Sequence, residues 1–384
     1  MLAERTIALL GGGQLGRMFM ENALRYPVRV SSLDPDREAP CANIVDHFQH
    51  GDLNDTAAVV SYAADADVVG IEIEHVSVDA LRRLKADGKR VIPDPEVLAT
   101  IQDKGLQKAF YLKHDIPTAP FALIARAEEI REHQELLPAF LKARTGGYDG
   151  KGVMPINGEN DISSAFSGPC VLEERADIAL ELAVLVVRDD HGHQVVYDPV
   201  EMVFDPRFNL VDHLRAPARV PDRISNQAQQ LAGRVAEAFN AAGLYAVELF
   251  WTKGGELLVN ETAPRAHNSG HHTIEACASS QFDQLLRLYM GWPLGDPALR
   301  GHAAMINLVG EGGQGAPEMS GLNEILSLPG TFVHLYGKKE TRTGRKMGHV
   351  TVIAADDRAL DKAIAVVKEH CAITPARKGN TINT

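Results

Sequence analysis

The chain has 384 residues, enough at roughly 150 residues per domain for two or three domains rather than a single core. With 45% hydrophobic and 23% charged residues it has an ordinary globular composition, and no window approaches the ~20 consecutive apolar residues of a membrane-spanning helix. A net charge of -12 argues against general nucleic-acid binding, and Cys41, Cys170, Cys277 and Cys371, far apart and without CxxC spacing, point to a reducing, cytoplasmic setting.

The opening apolar run is too short for a secretory signal and reads as a buried strand, Thr6 to Leu10. A glycine loop, Gly11 to Gly16, a helix from Arg17 to Arg25 and a strand from Val28 to Leu33 complete a βαβ unit. A strand from Asp67 to Ile73, with Glu72 and Glu74 at its end, and a short strand from Arg90 to Pro93 extend this into a parallel-sheet domain. Its ligand belongs at the carboxyl ends of the strands.

Pro93 and Pro95 punctuate the chain, and a helix is expected from Leu98 to Lys113, opening a second domain. There the strand Ala139 to Lys142 leads into the glycine-dense stretch Arg144 to Gly152, and Cys170 to Glu173 forms another strand. Glu181 to Val187 and Gln194 to Tyr197 flank a polar turn as an antiparallel pair, near the start of a third domain. A helix from Asn226 to Phe239 sets Leu231, Val235, Ala238 and Phe239 on one face, and a hairpin spans Ala246 to Asn260. No internal repeat or low-complexity tract is present.

Five segments carry chemistry. The Gly11-Gly-Gly13-Gln-Leu-Gly16 loop matches GxGxxG between strand and helix, and with Asp34 ending the second strand it fits dinucleotide binding as well as any other phosphate site. The segment from Lys142 through Lys151 to Gly152 joins a strand-end lysine to a glycine loop with a second lysine, as a cover over a triphosphate requires; the Walker order is absent.

In the late hairpin, a turn at Thr252 to Gly255 sets Trp251 opposite Glu256 and Glu248 opposite Val259, so Glu261 lies one diagonal step from Glu248 on the same face. Two such carboxylates can share one cation, Mg²⁺ with nucleotide phosphates being the natural occupant; a one-residue slip would part them. The following run, Arg265, His267, Asn268, His271 and His272, suits anion or substrate contacts better than zinc, for no cysteine lies near and HExxH is absent. The basic stretch from Gly337 to His349 fits either a phosphate monoester site or a solvated loop.

In order along the chain, GGGQLGRM, EIEHV, QDK ending at Lys104, KARTGGYDGKG, EER, VELF, NETAPRAHNSGH and GKKETRTGRKMGH resemble the ATP-grasp superfamily, most closely its 5-(carboxyamino)imidazole ribonucleotide synthase family. The resemblance implies a three-domain ATP-grasp fold of α/β and α+β character. Its parts would be a preATP-grasp Rossmann-like domain at 1–98, a lid domain at 99–180, and a C-terminal domain at 181–384 with the metal site and a basic phosphate loop.

It further implies that Lys104 and Lys142 contact ATP phosphates and that Gly147, Tyr148, Asp149, Gly150, Lys151 and Gly152 form the lid loop. Glu173, Glu174, Arg175 and Ala176 would form the adenine hinge, Glu181 would bind the ATP ribose, Asn260 and Glu261 would line the nucleotide site, and Glu248 and Glu261 would hold Mg²⁺. Gln14, Leu15, Glu72 and Asn268 would contact aminoimidazole ribonucleotide, with Lys338, Arg345 and Lys346 on its phosphate; Arg265 and His267, with Lys142, are the catalytic candidates. Lys104 stands where the family often has arginine and Ala176 where it often has valine or isoleucine, without loss of a needed group.

The implied reaction is carboxylation of the substrate's exocyclic amine using ATP and bicarbonate through carboxyphosphate, by a homodimer binding neither nucleic acid nor membrane. A formate-dependent glycinamide ribonucleotide transformylase is the related alternative. A nicotinamide-dependent dehydrogenase, from another class, would leave the lid, the paired glutamates and the basic cluster idle. Phe204 to Arg219 has no role in this reading.

Overall fold

The computed structural model describes residues 5–147, 152–207 and 210–376. The N-terminal sheet comprises β1 (Arg5–Leu10), β2 (Val28–Asp34), β3 (His47–His50), β4 (Val68–Ile71) and β5 (Arg90–Ile92), all parallel, in the order β3-β2-β1-β4-β5. Strand alternation explains why β1 is apolar throughout. Ile7 and Leu9 face a core shared with the C-terminal part of the chain, whereas Ala8 and Leu10 face the helices α2 (Thr56–Tyr62) and α3 (Val78–Ala86).

The first helix, α1 (Gln14–Ala23), starts three residues before the expected Arg17. Gly13 at its N-cap has no side chain to satisfy the first-turn amides, and the Glu72 carboxylate at the end of β4 accepts the Leu15 N–H at 2.9 Å instead. The single helix expected over Leu98 to Lys113 is two: α4 (Pro95–Gln102) and α5 (Lys104–Lys113). Asp103 breaks it by accepting the Gly105 and Leu106 amides as N-cap of α5 and binding Arg144 at 2.6 Å.

The antiparallel sheet of the middle region has β6 (Phe121–Ile124), β7 (Ala139–Ala143), β8 (Val153–Ile156) and β9 (Cys170–Glu174), ordered β6-β9-β7-β8. The largest sheet is built from β10 (Ile178–Arg188), β11 (Gln194–Val196), β12 (Val200–Asp205), β13 (Leu210–Ala216), β14 (Gly243–Thr252), β15 (Leu257–Ala263), β16 (His302–Val309), β18 (Thr331–Leu335) and β19 (Lys346–Ala354). A separate pair joins β17 (Pro317–Ser320) to β20 (Ala372–Pro375). The described residues of Phe204 to Arg219 supply the end of β12 and the whole of β13, in the middle of the large sheet.

The amphipathic α6 (Asp222–Phe239) packs Leu231, Val235, Ala238 and Phe239 on one face of this sheet, as its spacing predicts. The short helices α7 (Thr273–Ala276) and α9 (Leu322–Leu326) and the longer α8 (Gln281–Met290) and α10 (Asp357–His370) complete the fold. Helix α8 joins the N-terminal sheet to the large one, with Tyr289 wholly buried and set edge-on to Phe19 at 5.5 Å. Gly70 of β4 admits that ring, because a methyl group there would lie 2.1 Å from the Tyr289 hydroxyl. Gly70→Ala is therefore expected to destabilise the protein by about 1–3 kcal/mol through overpacking; an unchanged urea midpoint would contradict this reading of the contact.

Candidate active site

The β14–β15 hairpin departs from the expected register. Trp251 pairs with Leu257 and Leu249 with Val259, then the ladder slips so that Glu248 lies directly opposite Glu261. Asn260 is the extra residue of a bulge. The two glutamates are direct cross-strand neighbours rather than diagonal ones, while Leu249 and Val259 go into the core beneath. The Asn260 amide donates to Glu248 Oε2 at 3.2 Å, and Lys142 Nζ donates to Asn260 Oδ1 at 3.1 Å.

Lys104 Nζ lies 2.6 Å from Glu261 Oε2, and its charge holds that carboxyl well below the usual carboxylate range. Glu248 is pushed the other way, first by burial and then by the Glu261 charge opposite. Glu181, on β10, is raised to about 7 by burial and adds a third acid to the same cleft. Among the described residues no three Asp, Glu, His or Cys side chains converge as a metal cage. Two facing carboxylates with an amide oxygen beside them fit Mg²⁺, which takes one or two protein carboxylates and completes its shell with water and phosphate oxygens.

One face of α5 frames this cleft. Lys104, Gln107, Lys108 and Tyr111 project from it at i, i+3, i+4 and i+7. Strand β15 is an edge strand, and Gln107 covers its open backbone, accepting the Thr262 N–H at 3.1 Å and donating to the Thr262 carbonyl at 3.3 Å. The Pro117 carbonyl accepts the Val259 N–H at 2.7 Å, and the Thr118 hydroxyl donates to the Val259 carbonyl at 2.7 Å. The strand carrying Asn260 and Glu261 is thus held on its outer side.

Glu173 is 2% exposed and bridges Lys142, at 2.7 Å, and Lys108. Burial penalises its charge, but Lys142 and Lys108 outweigh that and keep it ionised. Burial draws Lys108 down to about 8. Glu173 is expected in an adenine hinge; its side chain turns back to order two lysines, while Glu174, Arg175 and Ala176 follow on the open side of the strand end. Lys108 and Gln107 were not foreseen, although their spacing from Lys104 is a helical one. Of the expected lid, Gly147 and Gly152 bracket Tyr148, Asp149, Gly150 and Lys151, which lie outside the described residues.

A second group of side chains surrounds the glycine loop, and here the phosphate reading of GxGxxG is overturned. The Gly12 N–H donates to Asp34 Oδ2 at 2.6 Å and the Leu15 N–H to Glu72 Oε1, so two loop amides already serve carboxylates. A methyl group at Gly13 would lie 2.6 Å from Glu72 Oε1, and at Gly11, where φ is +104°, 2.8 Å from Glu72 Oε2. These glycines make room for an acid, and burial raises both Asp34 and Glu72. A dinucleotide pyrophosphate would meet two carboxylates there, which removes the dehydrogenase alternative.

Gln14 Oε1 accepts from Lys338 Nζ at 2.8 Å, which also donates to the Lys346 carbonyl at 2.5 Å, so the basic loop closes on the glycine loop. Arg345 donates instead to the Glu340 carbonyl of its own loop at 2.7 Å. Arg265 lies 3.3 Å from Glu74, and His267 Nε2 lies 3.7 Å from Glu248 Oε1, which links the glycine-loop side to the carboxylate pair. Asn268 pairs with Asn307. His271 and His272 turn into the core, where burial lowers both, so the His267, His271 and His272 run forms no zinc site.

Comparison with known proteins accounts for this arrangement. A ribonucleotide synthetase preATP-grasp domain model matches residues 4–102, an ATP-grasp domain model 109–282, and a phosphoribosylaminoimidazole carboxylase C-terminal domain model 303–363. The N5-carboxyaminoimidazole ribonucleotide synthase of Bacillus subtilis is 36% identical over 351 residues, covering 90% of each chain. A phosphoribosylaminoimidazole carboxylase of Ogataea methanolica is 38% identical, over 91% of this chain and 67% of its own length.

The crystal structure of the N5-carboxyaminoimidazole ribonucleotide synthetase from Thermotoga maritima superimposes with a TM-score of 0.88 at 38% identity, over 97% of this chain and all of that one. The Aspergillus clavatus synthase in complex with ADP and aminoimidazole ribonucleotide superimposes with a TM-score of 0.87 at 33% identity, over 96% of this chain and 100% of that one. Sequence likeness along both whole chains and the shared three-domain architecture agree: the chain belongs to the N5-carboxyaminoimidazole ribonucleotide synthase family of ATP-grasp ligases.

Proposed function

We propose that the cleft between α5 and the β14–β15 hairpin takes ATP and bicarbonate, and the neighbouring glycine-loop side takes aminoimidazole ribonucleotide. As a member of its family the chain is an ADP-forming ligase of purine biosynthesis that carboxylates the amine of this ribonucleotide using ATP. The observation that supports the residue assignment best is the placement of Glu248 opposite Glu261, with Lys104, Lys142 and Asn260 around them.

In this reading Lys104 and Lys142 neutralise charge on the ATP phosphates, Glu181 accepts from the ribose hydroxyls, and Glu173 to Ala176 flank the adenine. Glu248 and Glu261, with Asn260 beside them, hold Mg²⁺, which would supply charge stabilisation to the transferring phosphoryl group. A bicarbonate oxygen forms the new bond to the γ-phosphorus as the β–γ bridging bond breaks and its electron pair leaves with ADP. The substrate nitrogen then bonds to the carboxyl carbon of carboxyphosphate, or of CO₂ released from it, and inorganic phosphate departs. Arg265 and His267 orient the bicarbonate and phosphate oxygens. Leu15, Gln14, Glu72 and Asn268 contact the ribonucleotide, and Lys338, Lys346 and Arg345 its phosphate.

Closure of the Gly147 to Gly152 segment would exclude water from carboxyphosphate, and the boundaries 1–98, 99–180 and 181–384 divide these roles among the domains. A homodimer and a cytoplasmic location complete the proposal, the latter supported by four free cysteines.

ADP release should require both aminoimidazole ribonucleotide and bicarbonate; a turnover indifferent to both would overturn the substrate assignment. Glu261→Gln should keep the fold but raise the Mg²⁺ concentration needed for half-maximal ATP turnover by at least about tenfold, the loss of one charged ligand contact being worth ~1.5–3 kcal/mol. An unmoved magnesium titration would remove Glu261 from the metal site.

A further inference from the structure

We infer that Asn307, a buried residue of β16 outside the cleft, is a positioning residue that sets which way the Asn268 amide faces the substrates. Asn268 lies in the turn after β15, between His267 and Ser269, and this inference rests on the proposal that it contacts substrate. Asn307 is 7% exposed.

Three hydrogen bonds carry the argument. Asn307 Nδ2 lies 2.7 Å from the Val211 carbonyl, which can only accept. That identifies the nitrogen of Asn307 and leaves its Oδ1 as an acceptor, which takes an N–H from Asn268 Nδ2 at 2.9 Å. The remaining N–H of Asn307 goes to Asn268 Oδ1 at 3.0 Å. The two amides form a closed, reciprocal pair whose polarity is dictated by a backbone carbonyl in the β12–β13 hairpin.

Asn268 is left with one further N–H, on the edge of its amide away from Asn307. In this pairing, that group is a donor suited to an anionic oxygen. Turning the Asn268 amide over would oppose N–H to N–H and oxygen to oxygen, losing both bonds of the pair in a partly buried place. Val211 thus acts on the site through two amides without touching it, which assigns a task to the Phe204 to Arg219 stretch.

Asn307→Asp keeps the shape but removes both donors, so in either orientation of the Asn268 amide one oxygen faces oxygen and nothing sets which way that amide turns. Steady-state kinetics of Asn268→Ala, Asn307→Asp and the double variant should be compared with bicarbonate, aminoimidazole ribonucleotide and ATP varied in turn. Asn307→Asp is expected to lower kcat/KM by about tenfold or more for whichever of bicarbonate and the ribonucleotide Asn268→Ala impairs, with KM for ATP within twofold of the parent. The double variant should be no worse than Asn268→Ala alone.

A normal Asn307→Asp enzyme beside an impaired Asn268→Ala enzyme, or additive losses in the double variant, would overturn the inference while sparing the role of Asn268. An unimpaired Asn268→Ala enzyme would remove that role and the inference with it. Should Asn307→Asp fail to fold, Asn307→Ser, which also breaks the reciprocal pair, decides by the same criteria.

Discussion

Two glutamates facing each other across an edge hairpin impose the constraint around which this molecule is arranged. At ~5 Å and an effective dielectric of about 20, two such charges repel by roughly 3 kcal/mol, so the pair must be compensated. Lys104 lies against Glu261, Asn260 donates to Glu248, and Lys142 reaches Asn260. Proximity alone would not keep the acids together, because a strand that slid by one residue would turn one of them into the core. The backbone is therefore pinned on its free side by Gln107, Pro117 and Thr118, all in or just after α5. The helix that carries the neutralising lysine also fixes the strand that carries the acid.

The glycine loop shows a similar balance with the opposite outcome from a dinucleotide fold. Its amides and the start of α1 favour negative charge, but the chain supplies that charge itself through Asp34 and Glu72. Glu72 caps a helix whose own N-cap residue is glycine, and the small loop residues leave space for its carboxylate. An acid in this place can accept from a substrate amine or hydroxyl where a phosphate would be repelled. The basic loop with Lys338 and Lys346, proposed above for the substrate phosphate, meets the glycine loop through the contact of Lys338 with Gln14.

Much of this was legible in the sequence where residues carry chemistry of their own. The strand-end lysine and the two glutamates of the hairpin stand out by residue type and spacing, whereas roles for the acid after β4 and for the basic loop come only from the family resemblance. What escaped depended on long-range partners. The start of α1 at Gln14 is fixed by an acid 57 residues from Leu15. The turn takes in Glu256 as well as Thr252 to Gly255, which shifts the register by one residue, and the bulge at Asn260 adds a second step; neither leaves a mark in an alternating pattern. The break before α5 has local signals, an Asp able to cap and Gly105 two residues on, but no proline. Lys108 and Gln107 stand at helical spacing from Lys104, but a solvated helix face would look the same until β9 and β15 are packed against it.

The strand-borne residues of the site come from three sheets, so its geometry depends on how the sheets are joined. Lys142 and Glu173 come from the middle sheet, Glu181, Glu248 and Glu261 from the large one, and Glu72 from the end of the parallel one. The parallel and large sheets are welded by one apolar core that takes Ile7 and Leu9 from β1, Met18 and Phe19 from α1, Phe282 and Tyr289 from α8, and Leu185 from β10. The middle sheet has a core of its own and meets the rest through polar contacts such as Lys142 with Asn260 and Lys108 with Glu173. Apolar packing fixes the carboxylates relative to the glycine-loop side, while polar contacts, the Lys104 N–H to the Arg144 carbonyl among them, tie in the middle sheet. Because the middle sheet has a core of its own, a change in its polar contacts leaves the core beneath the carboxylates intact.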